Sequence, residues 1–183
     1  MQNNYNDDVE INSKNDEANL KYKDKFLSVI VVGAVLLTVI AFVVVLLRPK
    51  PEYQSENTPA GIAHNYLLAL EKRNYERAYK YLAPSLQGRP DSVDEFYENI
   101  ENNSRSFRLD SDVTVQVESE KIFKQSAVVI IRETRFDGGG IFDSNQTTDT
   151  FRMGLRLDDN EEWRVIDSDY YFASCWQRIT GCR

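Results

Sequence analysis

The sequence predicts an α+β chain in which one apolar helix of membrane length precedes a folded unit of helices and then strands. Three observations predict it. An uncharged run, FLSVIVVGAVLLTVIAFVVVLL, occupies Phe26–Leu47. Between residues 58 and 100, apolar side chains recur at helical spacing behind capping residues. Between residues 113 and 172, apolar and polar residues alternate, and turn signals separate the alternating runs.

The averages conceal the first of these. With 42% hydrophobic residues, 22 Lys+Arg and 29 Asp+Glu, the 183-residue chain reads as a soluble acidic protein of net charge -7. Yet about 22 residues from Phe26 to Leu47 carry neither charge nor proline, and as a helix they cover roughly 33 Å, enough for a hydrocarbon core of about 30 Å. A helix bonds its own backbone, so its many β-branched residues are tolerated in lipid. A cleavable signal has a shorter apolar region, a basic leading end and a small-residue cleavage site. Here acidic residues lead and Arg48-Pro49-Lys50-Pro51 follows, so an uncleaved anchor in the lipid bilayer is expected over 26–47. Lys14, Lys21, Lys23 and Lys25 outnumber Arg48 and Lys50 at its two ends. That bias predicts a single-pass cell-membrane protein with the N-terminus cytoplasmic and the C-terminal domain outside. Gly33, Ala34 and Ala41 offer a small-residue seam for helix pairing, or the ordinary background of such helices.

Residues 1–25, rich in Asn, Asp, Glu and Lys, are expected to be a disordered cytoplasmic tail. Residues 48–57 read as an extended linker stiffened by two prolines. Residues 58–183 form the extracytoplasmic domain. Asn57 or Thr58 caps its first helix, with Pro59 in the first turn, and Ile62, Ala63, Tyr66, Leu67 and Leu70 make one face. Asn74 caps a second helix, which faces inward through Tyr75, Ala78, Tyr79 and Leu82 and stops at Ala83-Pro84. Ser92-Val93-Asp94-Glu95 is a capping box opening a third, with Phe96, Tyr97 and Ile100 inward. Val113, Val115 and Val117 mark a strand. Ala127–Phe136 reads as a central strand covered on both faces, and Asp137-Gly138-Gly139-Gly140 as a turn. Phe151, Met153, Leu155 and Leu157 give the next strand, and Trp163–Phe172 the last.

This order resembles the nuclear transport factor 2-like superfamily, which includes the SnoaL-like polyketide cyclases and ketosteroid isomerases. The resemblance rests on the helix pair AGIAHNYLLALEKRNYERAYKYLAP, the third helix SVDEFYENI and the closing strand WRVIDS. It implies three helices packed on a strongly bent antiparallel sheet that closes into a cone with a pocket. The overall plan of tail, anchor and external cone is also similar to that of bitopic scaffold subunits of type IV secretion machines.

Candidate lining residues of such a pocket are Asp167, Tyr66, His64, Tyr79, Tyr97 and Trp163. Counting by twos puts Asp167 on the face of Trp163 and Val165, where desolvation would fit it for proton transfer. The plainer reading puts Asp167 at the rim, His64 half-exposed and the tyrosines in the core. Arg132, Arg135, Arg152, Arg156 and Arg164 form either a basic face for an acidic partner or a cross-strand ladder with Glu118, Glu120, Glu133 and Asp158. One His and two Cys make no metal site of the usual kind, and no phosphate-binding loop, dinucleotide fingerprint or serine elbow is present. No catalytic set and no cofactor is therefore assigned, and an acidic chain does not attract nucleic acid.

Cys175 and Cys182 both lie in the last nine residues, outside the tail expected in the cytoplasm. A short disulfide loop is expected there, with free thiols the alternative. The functional expectation is a non-enzymatic membrane protein whose external domain mediates protein–protein interaction or self-association at the cell surface. The alternatives are a tethered small-molecule binder or sensor, and a SnoaL-like enzyme.

Overall fold

The computed structural model describes residues 26–44, 46–47, 51–108, 113–138 and 144–182. The tail expected over 1–25, the flanking Arg48 and Lys50, and the turn residues Gly139 and Gly140 lie outside them. The chain divides into two compact units between Lys50 and Pro51.

The first unit carries helix α1, Phe26–Val44, which is long and apolar enough to cross a membrane. A helix of this kind near the N-terminus fits an anchor or a signal sequence.

In the second unit the caps are those the sequence signals. Helix α2 (Pro59–Glu71) starts at Thr58, whose hydroxyl accepts from the Gly61 N–H at 3.0 Å. Asn74 caps α3 (Tyr75–Lys80) through the Arg77 N–H, 3.1 Å away. Ser92 caps α4 (Val93–Asn102) through the Glu95 N–H, and the Glu95 carboxylate reaches back to the Asp91 N–H at 2.7 Å. A short α5 (Ser104–Phe107) and a 3-10 turn (Ser174–Gln177) add to the three expected helices.

Strands β1 (Val113–Phe123), β2 (Ser126–Gly138), β3 (Ser144–Leu157) and β4 (Trp163–Ser168) form one antiparallel meander in that order. The strongly bent sheet is a correction: the sheet is open and not strongly curled. The reason lies in its register. The central β2–β3 pair runs unbroken, and the register shifts leave their extra residues in the edge strands, Glu118 in β1 and Ile166 in β4. Without a bulge in its centre, the sheet has no local device for sharp bending.

Strand β2 alternates rather than being covered on both faces. Ala127, Val129, Ile131 and Glu133 are buried, whereas Arg132 is exposed. The last strand ends at Ser168, not Phe172. Tyr171 adopts a left-handed backbone (φ 59°), and its N–H bonds to the Ser106 carbonyl at 2.9 Å, drawing the chain toward α5. Helix α2 packs on β1, β2 and β4. At its centre the core gathers Tyr66, Phe96, Phe107, Leu155, Val165 and Trp176.

From Pro51 onward the stretch expected as a spacer belongs to the folded unit. Buried Asn65 accepts from the Gln54 N–H at 2.7 Å and donates to the Gln54 carbonyl at 2.9 Å. The approach is close enough that a Cβ on Gly61 would sit 1.9 Å from the Ser55 oxygen. This strap, residues 51–57, is why α2 is buried on more than its one apolar stripe.

The cysteines are bonded to each other, with Cα atoms 4.9 Å apart, and none is free. The loop they close presses on the α3–α4 connection. A Cβ on Gly88 would lie 2.4 Å from the Arg178 oxygen, so only glycine fits, and the Gly88 N–H bonds to the Trp176 carbonyl at 2.9 Å. Trp176 itself is fully buried against Phe96, Phe107 and Phe172, with ring centroids 4.9–5.8 Å apart.

Candidate functional site

Following the inner face of β2 toward its C-terminal end, the side chains change from apolar to charged. After Val129 and Ile131 comes Glu133, 1% exposed and the only acidic side chain buried among the described residues. Its oxygens are occupied. Arg108 donates to Oε1, Arg135 Nε pairs with the same oxygen at 3.0 Å, and the Tyr171 hydroxyl donates to Oε2 at 3.4 Å. Arg108 is aimed by a left-handed cap at the end of α5 (φ 51°), and its guanidinium lies 3.3 Å from the Tyr170 ring centroid. Burial, with the Glu133 charge second, pushes the Tyr171 hydroxyl well above its ordinary range, so it stays protonated as a donor. The Tyr66 hydroxyl, raised by complete burial, donates to the Tyr171 carbonyl at 2.6 Å. A cleft of about 100 Å³ beside this cluster is lined by Leu70, Arg108, Val115 and Tyr171.

The six sequence candidates are not brought together. Tyr66 and Trp163 are core residues. The Tyr79 hydroxyl donates to the Pro90 carbonyl at 2.7 Å, and Tyr97 lies largely exposed against Tyr75. His64 bonds to the Glu52 carbonyl across 3.0 Å and lines a groove of about 330 Å³ between α2 and β1, with Leu68, Val115 and Val117.

Asp167 requires a correction of face. The register shift beside Gly154/Leu155 leaves Ile166 as the extra residue of a bulge, so Asp167 pairs with Gly154 rather than following Val165. It is exposed on the opposite face, where it accepts from Gln177 Nε2 at 2.9 Å.

The strand arginines are mostly matched with acids: Arg132 with Glu118, Arg135 with Glu133 and Asp149, Arg152 with Asp169, Arg164 with Asp158 and Glu162. Glu120 instead accepts from the Ala60 N–H at the start of α2, at 2.9 Å. No cluster of His, Cys, Asp or Glu able to hold a metal ion occurs among the described residues. Glu133 escapes as a site because its strand reads as covered on both faces and the residue itself as a member of the surface ladder. Carrying the period of two onward from Val129 and Ile131 finds it.

No family model and no curated protein matches the chain. Among solved structures, it is similar to a SEC-C motif containing protein from Rhodopseudomonas palustris, with 14% identity, 65% of this chain and 83% of that one covered, and a TM-score of 0.45. It is also similar to a nuclear transport factor 2-like superfamily protein from Salmonella enterica, with 14% identity, 63% and 88% covered, and a TM-score of 0.41. Neither likeness names an activity for this chain.

Proposed function

We propose that the chain is a bitopic membrane protein, anchored by α1 with its N-terminus in the cytoplasm, whose outer domain is a non-catalytic module for protein interaction or assembly. The observation that carries this reading is the interior. Tyr66, Phe96, Phe107 and Trp176 fill the core, and the one acid buried among the described residues is taken up by two arginines and a tyrosine. A catalytic acid or base needs a lone pair or proton facing substrate, and Glu133 offers neither. The order of capped helices followed by a meander supports a domain of the nuclear transport factor 2-like kind. The bonded cysteine pair in the second unit supports an oxidising exterior. A surface tether raises the local concentration of the domain, which suits assembly.

Crosslinking of the full chain in its native membranes tests the proposal. Discrete adducts, with itself or with another protein, are expected; monomer alone would overturn it. Protease added to intact cells is expected to remove the second unit and spare the N-terminal tail.

A further inference from the structure

A broad depression of about 590 Å³ lies on the second unit, lined by residues other than those of the Glu133 cluster, and four of its nine lining residues are cationic. Arg77 and Lys80 from α3, Arg89 from the α3–α4 loop and Arg164 from β4 face two acids, Glu56 and Glu162. On a chain of net charge -7, a cleft lined by more cations than acids stands out.

Three of the cations have internal counterions. Arg77 is held by Glu56 at 2.8 Å and stacks 3.5 Å from the Tyr53 ring centroid. Arg164 bonds to Asp158 at 2.9 Å and to the Lys80 carbonyl at 3.0 Å. Lys80 makes a solvent-exposed pair with Glu76 at 3.3 Å. Arg89 differs: no carboxylate among the described residues pairs with it, and its Nε is buried without an acceptor there. Its guanidinium lies 4.1 Å from the Tyr79 ring centroid, and Tyr79 is fixed in turn by its bond to the Pro90 carbonyl. A buried donor with no partner is rare in folded proteins. A guanidinium already stacked on an aromatic ring is preorganised to receive a carboxylate.

We infer that this depression is a docking site for an acidic, extended segment of a partner protein, with a carboxylate on Arg89 and neighbouring acidic residues along Lys80 and Arg77. The cations come from α3, the α3–α4 loop and β4 around a depression of about 590 Å³. That volume suits a run of carboxylates rather than a single small anion. The inference rests on the reading of the domain as an interaction module and names the partner's chemistry.

The test uses the full chain in nanodiscs and a fluorescent ten-residue peptide of Asp and Glu spaced by Gly and Ser. The matched Asn and Gln peptide is the control, and binding is read by anisotropy. The acidic peptide is expected to bind, more weakly as salt is raised, and the amide peptide is not. Arg89→Glu is expected to weaken binding about tenfold or more and exposed Lys80→Glu about threefold, with Arg89→Lys between wild type and Arg89→Glu. Lys80→Glu keeps the test open should Arg89→Glu fail to fold. Wild-type affinity in both charge reversals, or equal binding of the amide peptide, would overturn the site. So would displacement of the peptide by inorganic phosphate beyond the effect of matched chloride, which would mark a small-anion site. Membrane crosslinks that persist in Arg89→Glu, with peptide binding unchanged, would sink the site and leave the assembly reading standing. Absence of crosslinks in wild type would remove that reading instead.

Discussion

Two adjoining regions of the core, joined through Phe107–Arg108 and Tyr171–Phe172, solve the same problem with different chemistry. At the aromatic end, Trp176 is packed against Phe96, Phe107 and Phe172 and clamped by the Cys175–Cys182 loop seated on Gly88. At the other, Glu133, Arg108, Arg135 and Tyr171 close the core with charge. The aromatic end gains from area removed from water. The charged end gains little net energy, because desolvating the ions offsets most of their attraction; what it supplies is one geometry, since any other arrangement strands a buried charge. Stability therefore resides mainly at the first end and uniqueness of the fold at the second.

The largest expected effect tests the first half of that contrast. Trp176→Ala should cost about 3–5 kcal/mol, as expected for deleting a buried ring from a close-packed core, measured by denaturant unfolding of the full chain in detergent. Glu133→Gln should cost about 2–3 kcal/mol, below the full penalty of a broken buried pair because Arg135 reaches solvent. Adding Arg108→Met to Glu133→Leu should recover part of that loss. If the double variant is less stable than Glu133→Gln, the charged end contributes energy and the contrast fails. Reducing the disulfide should cost about 2 kcal/mol by the loop-entropy estimate for so short a loop. The loss should appear as a lower Tm with increased exposure of Trp176 fluorescence, and little change at the Glu133 end.

The pH effect is smallest near neutrality. Tyr66 and Tyr171 are both held above the ordinary tyrosine value of 10.0, chiefly by burial. A raised folded-state value gives stability that is complete below the unfolded value and lost as pH rises toward the folded one. Thermal melts should thus lose no stability from these two groups up to about pH 10 and decline above it. Tyr66→Phe should flatten that decline.

Most helix starts were legible because Thr58, Asn74 and Ser92 act through side chains placed within three residues of what they cap. The disulfide was legible for a similar reason: the constraint is local. What escaped was set by distant parts of the chain. The Ile166 bulge reverses the facing of Asp167, yet one extra residue leaves no mark in an apolar–polar pattern. The early start of β3 at Ser144 was unseen because Gln146–Thr150 are exposed, and so no burial alternation is written there. The strap was read as a spacer because its hold on Asn65 is made by backbone atoms, which any sequence possesses.

That strap has a mechanical consequence. Tension applied at Pro51 does not reach the sheet directly. It first loads the Lys72 contact to the Pro51 carbonyl at 2.9 Å, the His64 contact to the Glu52 carbonyl, the paired amide bonds between Gln54 and Asn65, and the hold of Arg77 and Tyr81 on Glu56. These few bonds would part before the β2–β3 ladder does. The domain thus carries a short reserve of slack, about seven residues or roughly 24 Å when fully extended, which a pull can release while the rest stays folded.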